Sequence, residues 1–339
     1  MSQPLVSIVI PFYNTDPQQA ETLVLSVLKQ SYENLEIICI NDGSTDNTPQ
    51  LLEKFQKQDK RINLINQKNS GSAAGARNSG LQKATGEYVM FVDSDDEVDP
   101  KFVEKMLNKI QKESSDLVAC GFKYHRLANE SSVDIFTNKV ATRNHNEDFL
   151  PYTIRLLGND GRLYSVVNKI FRTDLIKKNQ LKFDTSLDFG EDLIFVLNYL
   201  KHSERIAFVY EALYLYNYGT ATSTVSKSSL KPENWQKNWR FLTNWFLPKN
   251  PYETDSLNWI RYRWAYSYCL AVCRSSKTFR QKYTLLQKAP KKKDLPKVGK
   301  IRNIGRSKYF QEKIYQIVNK NTFLLFVFSS FFVKIRLDS

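Results

Sequence analysis

The sequence predicts an α/β fold, a doubly wound and mostly parallel sheet with helices on both faces, followed by a C-terminal, mainly α-helical basic region. Three observations carry that reading. Strand-like and helix-like segments alternate over the first 120 residues, the pattern of a parallel sheet covered on both sides. Polar residues stand at the carboxyl ends of those strands, where ligands bind in such sheets. The charge also changes sign along the chain. Residues 1–225 hold 25 Lys+Arg and 29 Asp+Glu, a net of −4, whereas residues 226–339 hold 24 and 6, a net of +18. That asymmetry predicts two parts with separate roles, 1–225 and 226–339.

The elements follow in order. The β-branched run Leu5 to Ile10 ends at Pro11 and reads as a buried strand. Residues 17–31 place Ala20, Leu23, Val24, Val27 and Leu28 at helical spacing. Leu35 to Ile40 is the second strand, closed by the turn cluster Asn41-Asp-Gly-Ser44. A helix over Thr48 to Gln58 and a strand over Ile62 to Ile65 come next. A Gly- and Ala-rich loop from Gly71 runs into a helix near Leu81, and Tyr88 to Val92 is a fourth strand. Asp99-Pro100 opens a helix through about Lys112, and Leu117 to Phe122 is another strand. Residues 130–160 are polar and weakly patterned, which suits a loop near an acceptor. Beyond Ser226 the pattern is helical and aromatic, with Trp235, Trp239, Trp245, Trp259 and Trp264.

Cys39 and Cys120 sit in apolar runs and read as small buried hydrophobes in a reducing compartment. Cys269 and Cys273 share a helix face. Met1 to Pro4 leaves no room for a secretory signal, and no stretch reaches the roughly 18 apolar residues of a membrane span. A cytoplasmic location follows as the expectation.

The strongest chemical signal is Phe91-Val-Asp-Ser-Asp-Asp96. Carboxylates crowded at a strand end repel one another unless a cation neutralises them. A hard divalent ion bound through one or two carboxylates and diphosphate oxygens would do so. By itself the run fits an acidic turn or a helix cap equally well. The second signal is Phe189-Gly-Glu-Asp-Leu-Ile-Phe195, where Glu191-Asp192 opens a helix. Carboxylates there also suit the helix dipole alone.

Four segments in order add a resemblance. They are Val6-Ser-Ile-Val-Ile-Pro-Phe-Tyr-Asn14, Ile40-Asn-Asp-Gly-Ser-Thr-Asp46, Asn69-Ser-Gly-Ser-Ala-Ala-Gly-Ala-Arg-Asn78 and Gly86-Glu-Tyr-Val-Met-Phe-Val-Asp-Ser-Asp-Asp96. Together they resemble the nucleotide-sugar domain of family 2 glycosyltransferases, which has the GT-A fold, of the kind that builds bacterial surface glycans. The match covers about residues 4–225. It implies that Pro11 and Tyr13 contact the nucleobase and that Asp42 bonds uracil. Asp93 would approach the ribose and the metal, Asp95 would coordinate the metal (Mn2+ or Mg2+), and Asp96 would share that work. Arg77 would either pair with phosphate or fix the acidic cluster. Asp192 would be the general base, with Glu191 orienting it or touching the donor sugar. Asn168-Lys169 resembles a segment that precedes the Glu-Asp motif in many bacterial members. Lys169 is then either a solvated charge or a contact to diphosphate or glycan. Tyr216 to Val225 resembles the family's loop after the base, which would close over the donor.

One departure matters. Processive synthases of the family carry Gln-x-x-Arg-Trp and several membrane spans, and the nearest run here, Ile260-Arg-Tyr-Arg-Trp264, lacks the Gln. The resemblance therefore implies an inverting enzyme that adds one sugar from a UDP-sugar to a glycan or lipid-linked glycan acceptor. Transfer onto a polyprenyl phosphate, or a non-catalytic scaffold of the same fold, are the alternatives.

The back end points to a surface. Residues 288–308 hold nine Lys or Arg and one acid, Asp294, and Thr322 to Ile335 is apolar and aromatic. Basic charge beside such a segment suits an anionic membrane surface, so a peripheral position on the inner face of the cell membrane is expected. Packing on the catalytic domain is the other reading. Nucleic acid is not an expected partner, because no recognised module is present and the aromatics stand apart from the basic run. A nucleotidyltransferase is disfavoured by the lack of a glycine-rich phosphate loop with its lysine. A homo-oligomer is compatible with all of this.

Overall fold

A computed structural model describes residues 3–126, 131–134, 161–187 and 190–218, helical positions between 237 and 272, and residues 277–288. The weakly patterned segment after residue 134, the loop beyond Tyr218, the five tryptophans, Cys273, and the basic and apolar stretches after Lys288 lie outside the described residues. The chain divides into two compact units. The first comprises Met1–Phe149, Arg162–Ser186 and Glu191–Thr222, and the second comprises Leu150–Gly161, Leu187–Gly190 and Ser223–Ser339.

The first unit is built on a nine-stranded sheet. Strands β1 (Val6–Phe12) and β2 (Leu35–Asp42) are buried almost throughout, which requires both faces of the sheet to be covered. With β3 (Ile62–Gln67) and β4 (Tyr88–Phe91) they form a parallel array in the order β3-β2-β1-β4. Helices α1 (Pro17–Leu28), α2 (Thr48–Gln58) and α3 (Ala73–Lys83) are the crossovers. Each start follows a local rule. Asp16 caps α1 by accepting from the Gln18 and Gln19 amides at 3.1 Å, and Pro17 opens that helix. Ser72 caps α3 through the Gly75 amide at 3.3 Å.

A glycine lets α3 sit close on the sheet. A Cβ at Gly80 would come 2.3 Å from Val9 Cγ1, so only glycine permits this approach. Gly43 meets a second limit at the end of β2. Its φ is +74° and a Cβ there would lie 2.6 Å from the Asn69 amide nitrogen.

Beyond β4 the sheet is mixed. Strands β5 (Glu97–Val98), β6 (Leu117–Arg126), β7 (Ser131–Asp134), β8 (Lys169–Arg172) and β9 (Ile206–Tyr218) continue it as β4-β8-β6-β9-β5, with β7 on β6. Strand β8 runs antiparallel to both β4 and β6, while β6 and β9 are parallel. Parallel pairing thus runs through the first four strands and returns between β6 and β9, and antiparallel pairing enters with β8, β5 and β7. The reason is topological: β8 arrives from far along the chain and inserts between β4 and β6, which periodicity does not reveal.

Helix α4 (Phe102–Lys112) buries Phe102, Val103, Met106, Leu107 and Ile110, the one-sided stripe of an amphipathic helix. Helices α5 (Thr173–Lys178) and α6 (Glu191–Lys201) complete the unit. Under the carboxyl edge lies an aromatic cluster. Phe183 and Phe195 stack at 4.1 Å, and Phe91 meets Phe171, Phe183 and Phe195 edge-on at 5.2–5.9 Å. Such pairs add about 0.5–1.5 kcal/mol each beyond the area they bury. Cys39 and Cys120 are buried here as expected, and burial pushes each thiol up to about 12.

In the second unit, α7 (Phe279–Gln287) begins with a capping box between Thr278 and Gln281. Tyr268 donates to the Leu285 carbonyl at 2.9 Å, and Leu242, Leu257, Ile260, Tyr268, Cys269, Val272 and Leu286 are buried. Among the described residues no helix is long and apolar enough to cross a membrane.

Candidate active site at the carboxyl edge of the sheet

The ends of β1 and β2 form one wall. Asn14 takes a left-handed φ of +46°, a conformation asparagine tolerates better than most residues. Its side-chain oxygen accepts from the Thr45 amide at 2.8 Å, and its own amide donates to Ser44 Oγ at 3.1 Å. The two strand-end turns are thereby joined. Pro11 is half-buried at the strand end, and the Tyr13 ring beside it stands 53% exposed. Asp42 is only 4% exposed. Its Oδ1 accepts from Gln67 Nε2 at 2.6 Å and the Ser70 amide at 3.0 Å, and its Oδ2 accepts from Ser70 Oγ at 2.8 Å. A carboxylate accepts about four hydrogen bonds, so Asp42 retains capacity for a ligand donor while its side chain is held rigidly.

Arg77 is the hub of the opposite wall. It projects from α3, is 3% exposed, and lies 5.5 Å over the Phe183 ring. One guanidinium nitrogen reaches Asp93 Oδ1 at 2.6 Å. The other reaches Asp192 Oδ1 at 2.9 Å and Glu191 Oε1 at 3.5 Å. Burial alone would lower the Arg77 pKa, but Asp192, Asp93 and Glu191 together raise it. Arg77 draws the acidic turn after β4 and the Glu-Asp pair of α6 into one cluster.

Three carboxylates around one guanidinium leave excess negative charge, and the proton affinities record it. Burial, and then the Asp192 charge, push Glu191 up to about 7 against the pull of Arg77. Burial also raises Asp192, with Asp93 adding to it, while Arg77, the Val166 amide and Lys169 oppose. Asp192 Oδ2 lies 3.4 Å from the Val166 amide and 3.5 Å from Ser165 Oγ. A carboxylate with a raised pKa is a better proton acceptor when ionised.

Lys169 and Asp96 sit deeper than expected. Lys169 is fully buried, so the solvated reading does not hold. Its ammonium donates to the Ser165 carbonyl and to Asn168 Oδ1 at 2.8 Å. Asp96 is 1% exposed. It accepts from the Tyr214 hydroxyl at 2.7 Å and the Asn217 amide at 2.8 Å. Burial and the charges of Asp93 and Asp95 raise its pKa well above the carboxylate range. Sequence reasoning missed Gln67, Ser70, Ser165, Phe183, Tyr214 and Asn217. Ser70 and Asn217 lie inside the quoted segments without being singled out there, and Gln67, Ser165, Phe183 and Tyr214 are common residue types outside every motif.

Among the described residues no three His, Cys, Asp or Glu side chains gather to cage a metal. The residue types nevertheless fit a hard divalent ion: Asp93 and Asp95, both half-buried, stand in the turn beyond the carboxyl end of β4. Such an ion takes its remaining ligands from diphosphate and water.

The fold is an α/β domain with an acidic carboxyl edge, and the comparisons give its family. The model for glycosyl transferase family 2 matches residues 7–179, and the chain belongs to that family. Its fold is GT-A-like. Staphylococcus aureus TarS in complex with UDP-GlcNAc superposes with a TM-score of 0.55 at 21% identity, over 83% of this chain and 70% of that one. A Pyrobaculum calidifontis mannosyltransferase in complex with GDP-Man and Mn2+ gives 0.54 at 14% identity, over 96% and 87%. Among curated relatives, Bacillus subtilis EpsJ, an uncharacterized glycosyltransferase, is 32% identical over 216 residues, 63% of this chain and 61% of EpsJ. Escherichia coli YibD is 30% identical over 241 residues, 70% of this chain and 69% of its own. The match spans only 38% of GlyG from Streptococcus pneumoniae.

Proposed function

We propose that the protein is an inverting, metal-dependent, non-processive glycosyltransferase that moves one sugar from a UDP-sugar to a glycan or lipid-linked glycan acceptor in surface polysaccharide synthesis. The observation that carries the reading is the Arg77 cluster, which joins a strand-end acidic turn and a helix-opening Glu-Asp pair within 2.6–3.5 Å of one guanidinium.

The chemistry divides among these residues. Tyr13 and Pro11 offer an apolar face to the base, and Asp42 offers an acceptor to the uracil imide. Asp192 takes the proton from the acceptor hydroxyl as its oxygen bonds to the anomeric carbon, and the bond from that carbon to the diphosphate oxygen breaks with its electron pair leaving on UDP. A Mn2+ or Mg2+ held by Asp95 and Asp93 would neutralise the charge on the departing diphosphate. Glu191 and Arg77 keep Asp192 in place, and Lys169 supports it from beneath through the Ser165 turn. The basic and apolar segments after Lys288 would hold the enzyme to the anionic inner face of the membrane. TarS in complex with UDP-GlcNAc and the mannosyltransferase in complex with GDP-Man share the fold, which supports a sugar nucleotide as donor, while the choice of UDP rests on the resemblance of Asp42.

The test is binding and turnover with UDP-, GDP- and CMP-sugars in Mn2+, Mg2+ or EDTA. Selective, metal-dependent release of UDP from one sugar nucleotide is the expected result. Neither binding nor turnover with any UDP compound would overturn the proposal.

A further inference from the structure

The turn Asp93-Ser-Asp-Asp96 follows a four-residue strand and precedes a two-residue one. Such short elements cannot by themselves fix four consecutive residues, so other groups must. The contacts that do so come mainly from the far end of β9.

The Tyr214 hydroxyl has two roles at once. It donates to Asp96 Oδ2 at 2.7 Å and accepts from the Asp93 amide at 3.1 Å, spanning the two ends of the turn. Asn217 adds two more bonds. Its amide donates to Asp96 Oδ1 at 2.8 Å, and its side-chain nitrogen donates to the Asp95 carbonyl at 2.6 Å. From the other side, Ser94 Oγ meets Thr15 Oγ1 at 2.8 Å. The Tyr214 ring is itself fixed. It is fully buried, with Phe122 and Phe102 edge-on at 5.6 and 6.1 Å. Strand β5 pairs with β9 at Val98 and Tyr214, and the Asp99 amide donates to the Leu213 carbonyl at 2.9 Å. Both carboxylate oxygens of Asp96 thus have protein donors, while the same contacts set the backbone of the residues that carry the Asp93 and Asp95 carboxylates.

We propose that Tyr214 and Asn217 are positioning residues for the divalent ion, clamping the Asp93–Asp96 turn so that Asp93 and Asp95 meet the cation in a set geometry. The inference rests on the metal role given above to Asp93 and Asp95. Groups that orient ligands from behind typically influence metal affinity by about 10- to 100-fold, and Tyr214 and Asn217 act one step further back, through the backbone and Asp96.

The experiment uses the full chain as wild type, Tyr214→Phe and Asn217→Ala. Mn2+ affinity is titrated in the presence of saturating UDP by the paramagnetic signal of free Mn2+, and UDP affinity is measured separately in EDTA. Tyr214→Phe is expected to weaken Mn2+ binding about tenfold, with Asn217→Ala weakening it in the same direction and UDP affinity in EDTA falling by clearly less than Mn2+ affinity in both. A merely structural role would lower the two affinities alike. Folded variants whose Mn2+ affinity equals that of the wild type would overturn the clamp alone. Wild-type protein that takes up no Mn2+ with UDP would overturn both the clamp and the metal reading. Asn217 is half-buried, and its truncation leaves the backbone bond to Asp96 intact, so Asn217→Ala decides the matter if Tyr214→Phe fails to fold.

Discussion

Among the described residues Arg77 carries most of the site, because its guanidinium bonds both acidic motifs. Removing it leaves Asp93, Glu191 and Asp192 facing one another without the guanidinium that bonds all three, and with Lys169 still acting on Asp192. Breaking a buried pair in this way typically costs about 3–5 kcal/mol, so Arg77→Met should lower the unfolding midpoint sharply and abolish turnover. Arg77→Lys keeps the charge but not the two-pronged reach, and should retain more stability than activity. Thermal unfolding and donor hydrolysis measured on both variants would check this. Glu191 gives a pH signature. Its folded pKa lies near 7 instead of the ordinary 4.5, so the folded state holds its proton more tightly than the unfolded chain. The stability this contributes is fully present below about 4.5 and is lost as the pH rises through about 7. The wild type should therefore lose stability relative to Glu191→Gln across that window, read as the difference in unfolding midpoint against pH. A pH-independent difference would refute the assignment.

At the scale of elements, the site depends on α3 lying tightly on β1. Gly80→Ala places a methyl group 2.3 Å from Val9 Cγ1, and overpacking of this kind costs about 1–3 kcal/mol. Because α3 also carries Arg77, the substitution should lower turnover as well as the denaturation midpoint. Element order was largely legible in the sequence. The runs at Leu5, Leu35 and Tyr88 are β-branched or aromatic and buried on both faces, so composition alone marks them as strands. Helices α1 and α4 show their apolar stripes openly. The insertion of β8 between β4 and β6 was not legible, because pairing between residues 88–90 and 170–172 leaves no periodic trace in either segment. The site divides in the same way. Asp42, Asp93, Glu191 and Asp192 stand in recognisable motifs at strand or helix ends. Tyr214 sits in an ordinary strand run and Asn217 in the segment read as a loop, 121 and 122 residues from the atoms they bond. The burial of Lys169 was hidden too, since a lysine between Asn and Ile reads as surface until its neighbours are placed.

For the whole molecule, the division of charge underlies the proposal of two tasks. A net of −4 over residues 1–225 and +18 over 226–339 suits a catalytic part that handles its anionic donor through a metal, and a second part drawn to an anionic surface. The full chain should sediment with vesicles containing anionic lipid and not with purely zwitterionic ones, and salt should release it. Binding to both vesicle types alike would contradict an electrostatic attachment.

If the two acidic motifs joined through Arg77 form one catalytic centre, both are needed for metal-dependent hydrolysis of the preferred UDP-sugar, measured on wild type, Asp95→Ala and Asp192→Asn. Slow hydrolysis by the wild type that EDTA abolishes is expected, with loss of metal-dependent hydrolysis in Asp95→Ala and a fall of at least about 100-fold in Asp192→Asn with UDP still bound. Hydrolysis at the wild-type rate in both variants would mean that the cluster is not the catalytic centre.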